Sequence, residues 1–403
     1  MKKKLVQINT VCNTSTGQIM HDIQEAAEEL GFETISFVGR RKVYKDFACE
    51  KFGNACSFWL HVILNTLFDC QGYGSFFTTG KLIHRLREEQ PDIIHLHNLH
   101  GYYLNLPRLF HYLSHEFSGK VYWTFHDCWP FTGHCPYFVI AECDKWKNEC
   151  GRCSQKRQYP ISFGMDASSA NFRNKKELFT SVKDLTVITP SKWMKSLIEQ
   201  SFFKTYRIQV IRNGIDLNVF HPYEEKELQR IREAYQLPPD RKIVLGVAGI
   251  WEKRKGLGTL IELRKMLSTE YIIVLVGLSP KQIRKLPSGM IGIERTEKKE
   301  ELAMLYAAAH IFLNPSMEES FSLVTVEAMA CGTPVIALDT SAVKELVDEQ
   351  SGIILHENHA QAFAHAVQEL ERIYPNRSVI AEGAKRYGKE KMVQEILQMY
   401  EEA

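Results

Sequence analysis

The sequence predicts an α/β protein of two doubly wound domains, and three observations carry that prediction. The chain has 403 residues, more than one ordinary domain holds. Two series of short apolar runs, each ending in polar residues or glycine, alternate with stretches of helical periodicity, the pattern of parallel sheets covered on both faces. Between the two series Asn213-Gly214 is followed by Asp216, Phe220 and Pro222, which is loop chemistry and marks the crossover.

Each element follows in order. LVQIN (5–9) is the first strand, leading through a Gly-containing loop into a helical pattern from Ile19 to Leu30. TISFVG (34–39), DIIHLH (92–97), VYWTFH (121–126), LTVITPS (185–191) and IQVIRNG (208–214) repeat the strand signature. In the second half KIVLGVAG (242–249), YIIVLVG (271–277), IFLNPS (311–316) and PVIAL (334–338) do the same. Met392, Ile396, Met399 and Tyr400 stand at helical spacing in the last segment, so that helix needs a surface to cover its apolar face. These readings give a first domain over 1–213 with a Cys-rich insertion near 128–153, a second over 214–385, and a terminal helix over 386–403 packing back towards the first.

Hydrophobic residues make up 44% and charged residues 24%, enough to give each half a normal core. Net charge is +2, but residues 1–213 carry 27 Lys+Arg against 20 Asp+Glu, and 214–403 carry 23 against 28. A +7 half favours an anionic partner such as a phosphate-bearing substrate or an acidic membrane surface, or is simply a solvated surface. Gln7 and Asn9 interrupt the apolar run that follows MKKK, so no signal peptide is expected. The expected location is the cytoplasm, where the ten cysteines are thiols or metal ligands rather than disulfides. A nucleic-acid partner is not expected.

In open parallel sheets ligands bind beyond the carboxyl ends of the strands. The richest such stretch is ESFSLVTVEAMACGTPVIA, residues 319–337. Ser320 or Ser322 can begin a helix there, and Gly332-Thr333-Pro334 ends it. The backbone N–H groups of Phe321, Ser322, Leu323 and Val324 would then form a site for a diphosphate, helped by the helix dipole. Glu319 lies just before that helix and Glu327 about two turns into it, so one carboxylate can bind sugar hydroxyls and the other a ribose diol; solvent-exposed glutamates are the plain alternative.

This segment resembles the E-x7-E signature of the retaining glycosyltransferases of family 4, and the resemblance extends over nearly the whole chain. Its other landmarks are STGQIMHDI (15–23), DIIHLHNLHG (92–101), TFHD (124–127), TPSKWM (189–194), VIRNGID (210–216), GIWEKRKG (249–256) and ELAMLYAAAHIFLNPS (301–316), all in order. It implies the GT-B architecture: two facing Rossmann-like domains with a cleft between them, the first on the acceptor side and the second binding the nucleotide sugar. It also implies roles by position. Glu319 matches the glutamate that contacts the donor sugar, and Glu327 the one that binds ribose. Lys255, with Arg254 beside it, matches the group that neutralises the diphosphate, where an ammonium stabilises the charge of the leaving group. Ser322, Leu323 and Val324 supply the helix-start contacts. His126 matches the catalytic histidine of the first domain, or is a structural strand-end residue. Gly17 matches the loop that lets backbone approach phosphate, or is a tight turn.

The sequence departs from the family pattern at several places. Ile250 and Trp251 stand where an arginine is common, Ser320 and Ser322 replace glycines, and His310 stands where aspartate is frequent. No Asp-x-Asp triplet occurs, which fits transfer without a catalytic metal. The implied activity is movement of a hexose-type sugar from a UDP or GDP donor to a glycan or lipid-linked glycan in polysaccharide biosynthesis.

Cys135, Cys143, Cys150 and Cys153 form a second constellation. Cys150-x2-Cys153 is the tight half of a tetrahedral thiolate site, so a structural zinc ion stapling an irregular loop without a core of its own is one reading; free thiols and disulfides are the others. Four thiolates would leave no open position for catalysis. SFWLHVILNTLF (57–68) is too short to span a bilayer and is either a core helix or a membrane-docking helix, with Arg40, Arg41, Lys42, Lys45, Lys51 and Lys81 around it. Docking would bring the enzyme to the inner face of the cytoplasmic membrane. Two competing functions are a nicotinamide-dependent dehydrogenase, which lacks the expected G-x-G-x-x-G after a strand, and a weak or inactive zinc-stapled nucleotide-sugar-binding protein.

Overall fold

The computed structural model describes residues 2–40, 48–373 and 375–402, and the chain divides into two compact units, Met1–Arg212 with Val393–Ala403, and Asn213–Met392. The first unit carries β1 (Lys4–Asn9), β2 (Glu33–Val38), β3 (Cys49–Lys51), β4 (Ile93–Leu96), β5 (Lys120–Thr124), β6 (Leu185–Thr189) and β7 (Arg207–Val210). They form one parallel sheet in the order β3-β2-β1-β4-β5-β6-β7. The order reverses between β1 and β4, which opens a crevice at the carboxyl ends of those two strands.

The second unit repeats the plan with β8 (Lys242–Val247), β9 (Tyr271–Val276), β10 (Met290–Ile293), β11 (Ile311–Asn314), β12 (Val335–Leu338) and β13 (Gly352–Leu355). Its parallel sheet runs β10-β9-β8-β11-β12-β13, with the reversal between β8 and β11. Side chains alternate between its faces. Ile243, Leu245, Ile272 and Val274 enter one core, while Val244, Ile273 and Leu275 enter another. Both faces are thus covered, which is why these strands read as continuous apolar runs.

The first unit opens with the helices α1 (Ser15–Glu29), α2 (Ala55–Phe68) and α3 (Phe76–Glu89). Asn54 caps α2 by accepting the Ser57 N–H at 2.8 Å. α2 is not the core helix that was one reading of its sequence. Its buried residues are His61 and Asn65, whereas Trp59, Leu60, Ile63, Leu67 and Phe68 are exposed. The polar pair is held inside because Asn65 Nδ2 donates to the Ile161 carbonyl at 2.9 Å and His61 Nε2 accepts the Gly72 N–H at 3.3 Å. Of the basic residues expected around α2, Arg41, Lys42 and Lys45 lie outside the described residues.

The terminal helix runs Lys389–Glu401, and its apolar residues Met392, Ile396, Met399 and Tyr400 are buried. Tyr400 packs in the first unit, where its hydroxyl is hydrogen bonded to His95 and its ring lies 5.2 Å from that of Tyr122. No helix among the described residues is long and apolar enough to cross a membrane.

Candidate active site

In the second unit the loops after β8 and β11 flank the reversal point of the sheet, and they carry the charged groups that the sequence singled out. After β8 the chain makes a short 3-10 turn, Lys253–Lys255, closed by Gly256 at φ +74°. A side chain at Gly256 would lie 2.7 Å from Pro315 of the facing loop, so glycine lets the two loops close on each other. Lys255 Nζ is ion-paired with Glu319. Arg254 Nη1 donates to the Glu318 carbonyl at 2.6 Å and its Nη2 to Glu252 at 2.8 Å, while the Arg254 carbonyl accepts the Met317 N–H at 2.9 Å. Burial pushes the Glu319 carboxyl up, but Lys255 and Arg254 outweigh it and hold it below the usual carboxylate range. The arginine position taken by Ile250 and Trp251 is not filled by either: Ile250 is exposed, and Trp251 is buried with Nε1 donating to the Val276 carbonyl at 2.8 Å.

The helix after β11 is Leu323–Ala330, capped at Ser322, so Glu327 lies about one turn into it rather than two. Ser322 holds φ +90°, a conformation that favours glycine. Two bonds to its hydroxyl keep it there: Asn314 Nδ2 donates at 2.9 Å and Thr325 Oγ1 lies at 3.0 Å. The amides of Leu323 and Val324 belong to the helix's first turn, where no internal carbonyl precedes them. Glu327 accepts the Tyr306 hydroxyl proton at 3.0 Å. Burial pushes its carboxyl up to about 7, against smaller downward contributions from Tyr306 and Lys299. The structure therefore brings Arg254, Lys255, Glu319 and Ser322 together at one helix start and sets Glu327 against Tyr306.

In the first unit His126 lies just past β5 and is 9% exposed. Its Nε2 is 3.1 Å from His97 Nδ1, and the two rings stack with centroids 5.4 Å apart. Burial lowers its pKa to about 4, so the ring is neutral at physiological pH. Beside it Asp127 and His100 Nε2 pair at 2.8 Å. Gly17 is not in a loop. It occupies the first turn of α1, where a side chain would lie 2.2 Å from the Cys12 carbonyl oxygen, so glycine lets the helix pack on the preceding loop.

The four cysteines line one cavity of about 20 Å³. Cys135 and Cys153 share a hydrogen bond, and Cys150 Sγ accepts the Gly133 N–H at 3.3 Å. Among the described residues no group of three or more His, Cys, Asp or Glu side chains is arranged to hold a metal ion. Phe131, Phe138 and Trp146 of this segment are buried in the core of the first unit, with Phe138 stacked on Trp146 at 4.9 Å.

Sequence reasoning passed over Tyr306, His97 and Gln7. The last two carried a signal, because each is a polar residue in or next to a continuously buried strand, and a buried polar group must have a partner.

Comparison with known proteins bears on this geometry. The sequence model described as Glycosyltransferase Family 4 matches residues 19–219, and that described as Glycosyl transferases group 1 matches 241–372. The chain belongs to the family 4 glycosyltransferases. Among relatives of this glycosyltransferase, a D-inositol 3-phosphate glycosyltransferase of Corynebacterium urealyticum is 27% identical over 307 residues, 70% of this chain and 69% of that protein. The putative colanic acid biosynthesis glycosyl transferase WcaC of Escherichia coli is 26% identical over 299 residues, 72% and 70% of the two chains. Among solved structures, sucrose-phosphate synthase from Thermosynechococcus elongatus superposes with a TM-score of 0.71 at 18% identity, covering 100% of the glycosyltransferase and 99% of that chain. Anabaena Alr3699/HepE in complex with UDP-glucose superposes with a TM-score of 0.69 at 17% identity, covering 99% and 100%. These likenesses show the GT-B fold.

Proposed function

We propose that this glycosyltransferase moves a hexose-type sugar from a UDP or GDP donor to a glycan or lipid-linked glycan in polysaccharide assembly, with retention at the anomeric carbon. The observation that carries the donor side is the Lys255–Glu319 ion pair at the start of the helix Leu323–Ala330. A diphosphate arriving there takes Lys255 as its counter-ion, with Arg254 beside it, and accepts bonds from the amides of Leu323 and Val324. Glu319, released from Lys255, is free to accept hydroxyl protons of the donor sugar. Glu327 takes the ribose diol.

As the bond between the anomeric carbon and the diphosphate oxygen breaks, negative charge grows on the diphosphate, and the same cations and amides stabilise it. The departing phosphate oxygen accepts the proton of the acceptor hydroxyl, whose oxygen bonds to the same face of the sugar. No protein nucleophile is needed. The complex of HepE with UDP-glucose supports a uridine donor, and WcaC, named for colanic acid biosynthesis, supports a surface glycan as product.

The acceptor side of the proposal includes a peripheral contact with the inner face of the cytoplasmic membrane. It is supported by the exposed apolar face of α2 and by Phe163 and Met165, whose irregular segment bonds to the end of that helix: the Phe163 N–H donates to the Thr66 carbonyl and the Met165 N–H to the Leu67 carbonyl, both at 2.9 Å.

Thermal stabilisation by UDP-, GDP- and ADP-sugars tests the donor reading. A ligand at a hundred times its Kd adds ~2.7 kcal/mol to the native state. A clear rise in Tm with a UDP- or GDP-sugar is expected. No response to any of the three classes would overturn the reading.

A further inference from the structure

Three imidazoles gather around the carboxyl ends of β4 and β5. His95 and His97 are fully enclosed, and His126 nearly so. His97 lies between the other two rings, 4.3 Å from His95 and 5.4 Å from His126 by centroid, and its backbone is held by the Ile8 carbonyl and by Trp123 Nε1, each at 2.9 Å. A neutral imidazole has one N–H and one lone pair, so which nitrogen carries the proton is set by the partners.

Those partners can be read from the far end of a chain of hydrogen bonds. Gln7, in the middle of β1, donates from Nε2 to the Met20 carbonyl at 2.8 Å. A carbonyl cannot donate, so the amide nitrogen must face it and the amide oxygen must face the other way. That oxygen lies 3.1 Å from His97 Nε2. It too can only accept, so His97 carries its proton on Nε2 and has a lone pair on Nδ1. His126 Nε2 lies 3.1 Å from that lone pair and must supply the proton. Nδ1 of His126 is left as an acceptor.

We infer that Gln7 and His97 are positioning residues that hold His126 as its Nε2–H tautomer, so that its Nδ1 accepts a hydrogen bond from a substrate hydroxyl. The inference rests on the reading that His126 takes part in transfer, and it deepens that reading. A neutral ring with an open lone pair orients a sugar hydroxyl; it supplies no positive charge to a leaving diphosphate. The work of His126 is thereby separated from that of Lys255.

The test is long-range 1H–15N spectroscopy of the full chain labelled with 15N-histidine at pH 7, paired with release of UDP from UDP-glucose. His97 and His126 of the parent protein are both expected to show the proton on Nε2. In His97→Phe, checked for an unchanged melting curve, His126 should become a mixture of tautomers and turnover should fall at least roughly tenfold with donor KM little changed; an imidazole left in the wrong tautomer costs up to about 10⁴ elsewhere. His97→Asn, whose amide oxygen stands near the place of Nδ1, should recover both. If His97→Phe does not fold, Gln7→Leu replaces it, with a mixed tautomer at His97 expected. A proton on Nδ1 of His126 in the parent would overturn the assignment, as would a folded His97→Phe whose His126 keeps the Nε2–H signal or a folded Gln7→Leu whose His97 keeps it. The spectrum needs no substrate, so its failure is distinct from a failure of the catalytic reading, which an unimpaired His126→Ala enzyme would reveal.

Discussion

Glu327 and Ser322 hold states that their residue types resist. The carboxyl of Glu327, pushed up to about 7 by burial, is half protonated at neutral pH, yet a ribose diol needs an ionised acceptor. Its ionised fraction rises from about a tenth at pH 6 to about nine tenths at pH 8, so nucleotide-sugar affinity should strengthen about tenfold over that range. Calorimetry with a nucleotide sugar, whose diphosphate does not titrate there, measures this, and Glu327→Gln should flatten the dependence. Ser322 holds a left-handed backbone that costs of order 1–3 kcal/mol and is kept by bonds to its hydroxyl. Ser322→Gly removes the strain along with the bonds and should leave Tm nearly unchanged. Ser322→Ala removes the bonds alone and should lower it measurably. Lys255 came only from the resemblance to the family, whereas Glu319 was legible in the sequence because it lies in the polar stretch that follows an apolar strand run. Tyr306 was not, since a tyrosine inside an alanine-rich helix looks like core, and only the fold aims its hydroxyl at Glu327.

At the scale of elements, the sequence revealed every central strand and missed three edges. β3, β10 and β13 each end a sheet and have three, four and four residues, partly exposed, so they lack the long apolar run that marks a strand covered on both faces. The packing of the loop carrying the four cysteines was not legible for a related reason. It joins the core of the first unit through three aromatic residues spaced irregularly, Phe131, Phe138 and Trp146, and no periodicity announces such a cluster. α2 was legible as apolar but not in its orientation, because the turn that buries His61 and Asn65 is fixed by partners distant in sequence. Its outward face yields a prediction. Replacing Trp59, Leu60 and Ile63 together with serine should leave Tm unchanged, since all three are exposed. Binding to anionic vesicles, read by flotation, should weaken at least roughly tenfold, each such side chain contributing ~1.5–3 kcal/mol when fully buried in an apolar phase. Equal flotation of parent and variant would remove α2 from the membrane reading.

On the scale of the whole molecule, both units repeat one strand order, and each gathers its chemistry in loops beyond the carboxyl ends of its central strands. The second unit concentrates charge there, Lys255 and Arg254 against Glu319. The first presents a neutral ring, His126, held by other neutral rings. Donor binding and sugar orientation are therefore separable by mutation. His126→Ala should melt like the parent and bind nucleotide sugar normally while turnover falls roughly a hundredfold or more, the scale seen when a group acting mainly in the transition state is removed. The most direct test of the account is calorimetry of UDP and GDP on the parent protein and on Lys255→Ala, Glu327→Ala and Glu319→Ala. The nucleoside diphosphate that binds the parent should lose affinity with the first two variants, whereas Glu319→Ala, which frees Lys255 from its ion pair, should bind it as tightly as the parent or more so. Equal loss in all three variants, or no loss with Lys255→Ala and Glu327→Ala, would contradict it.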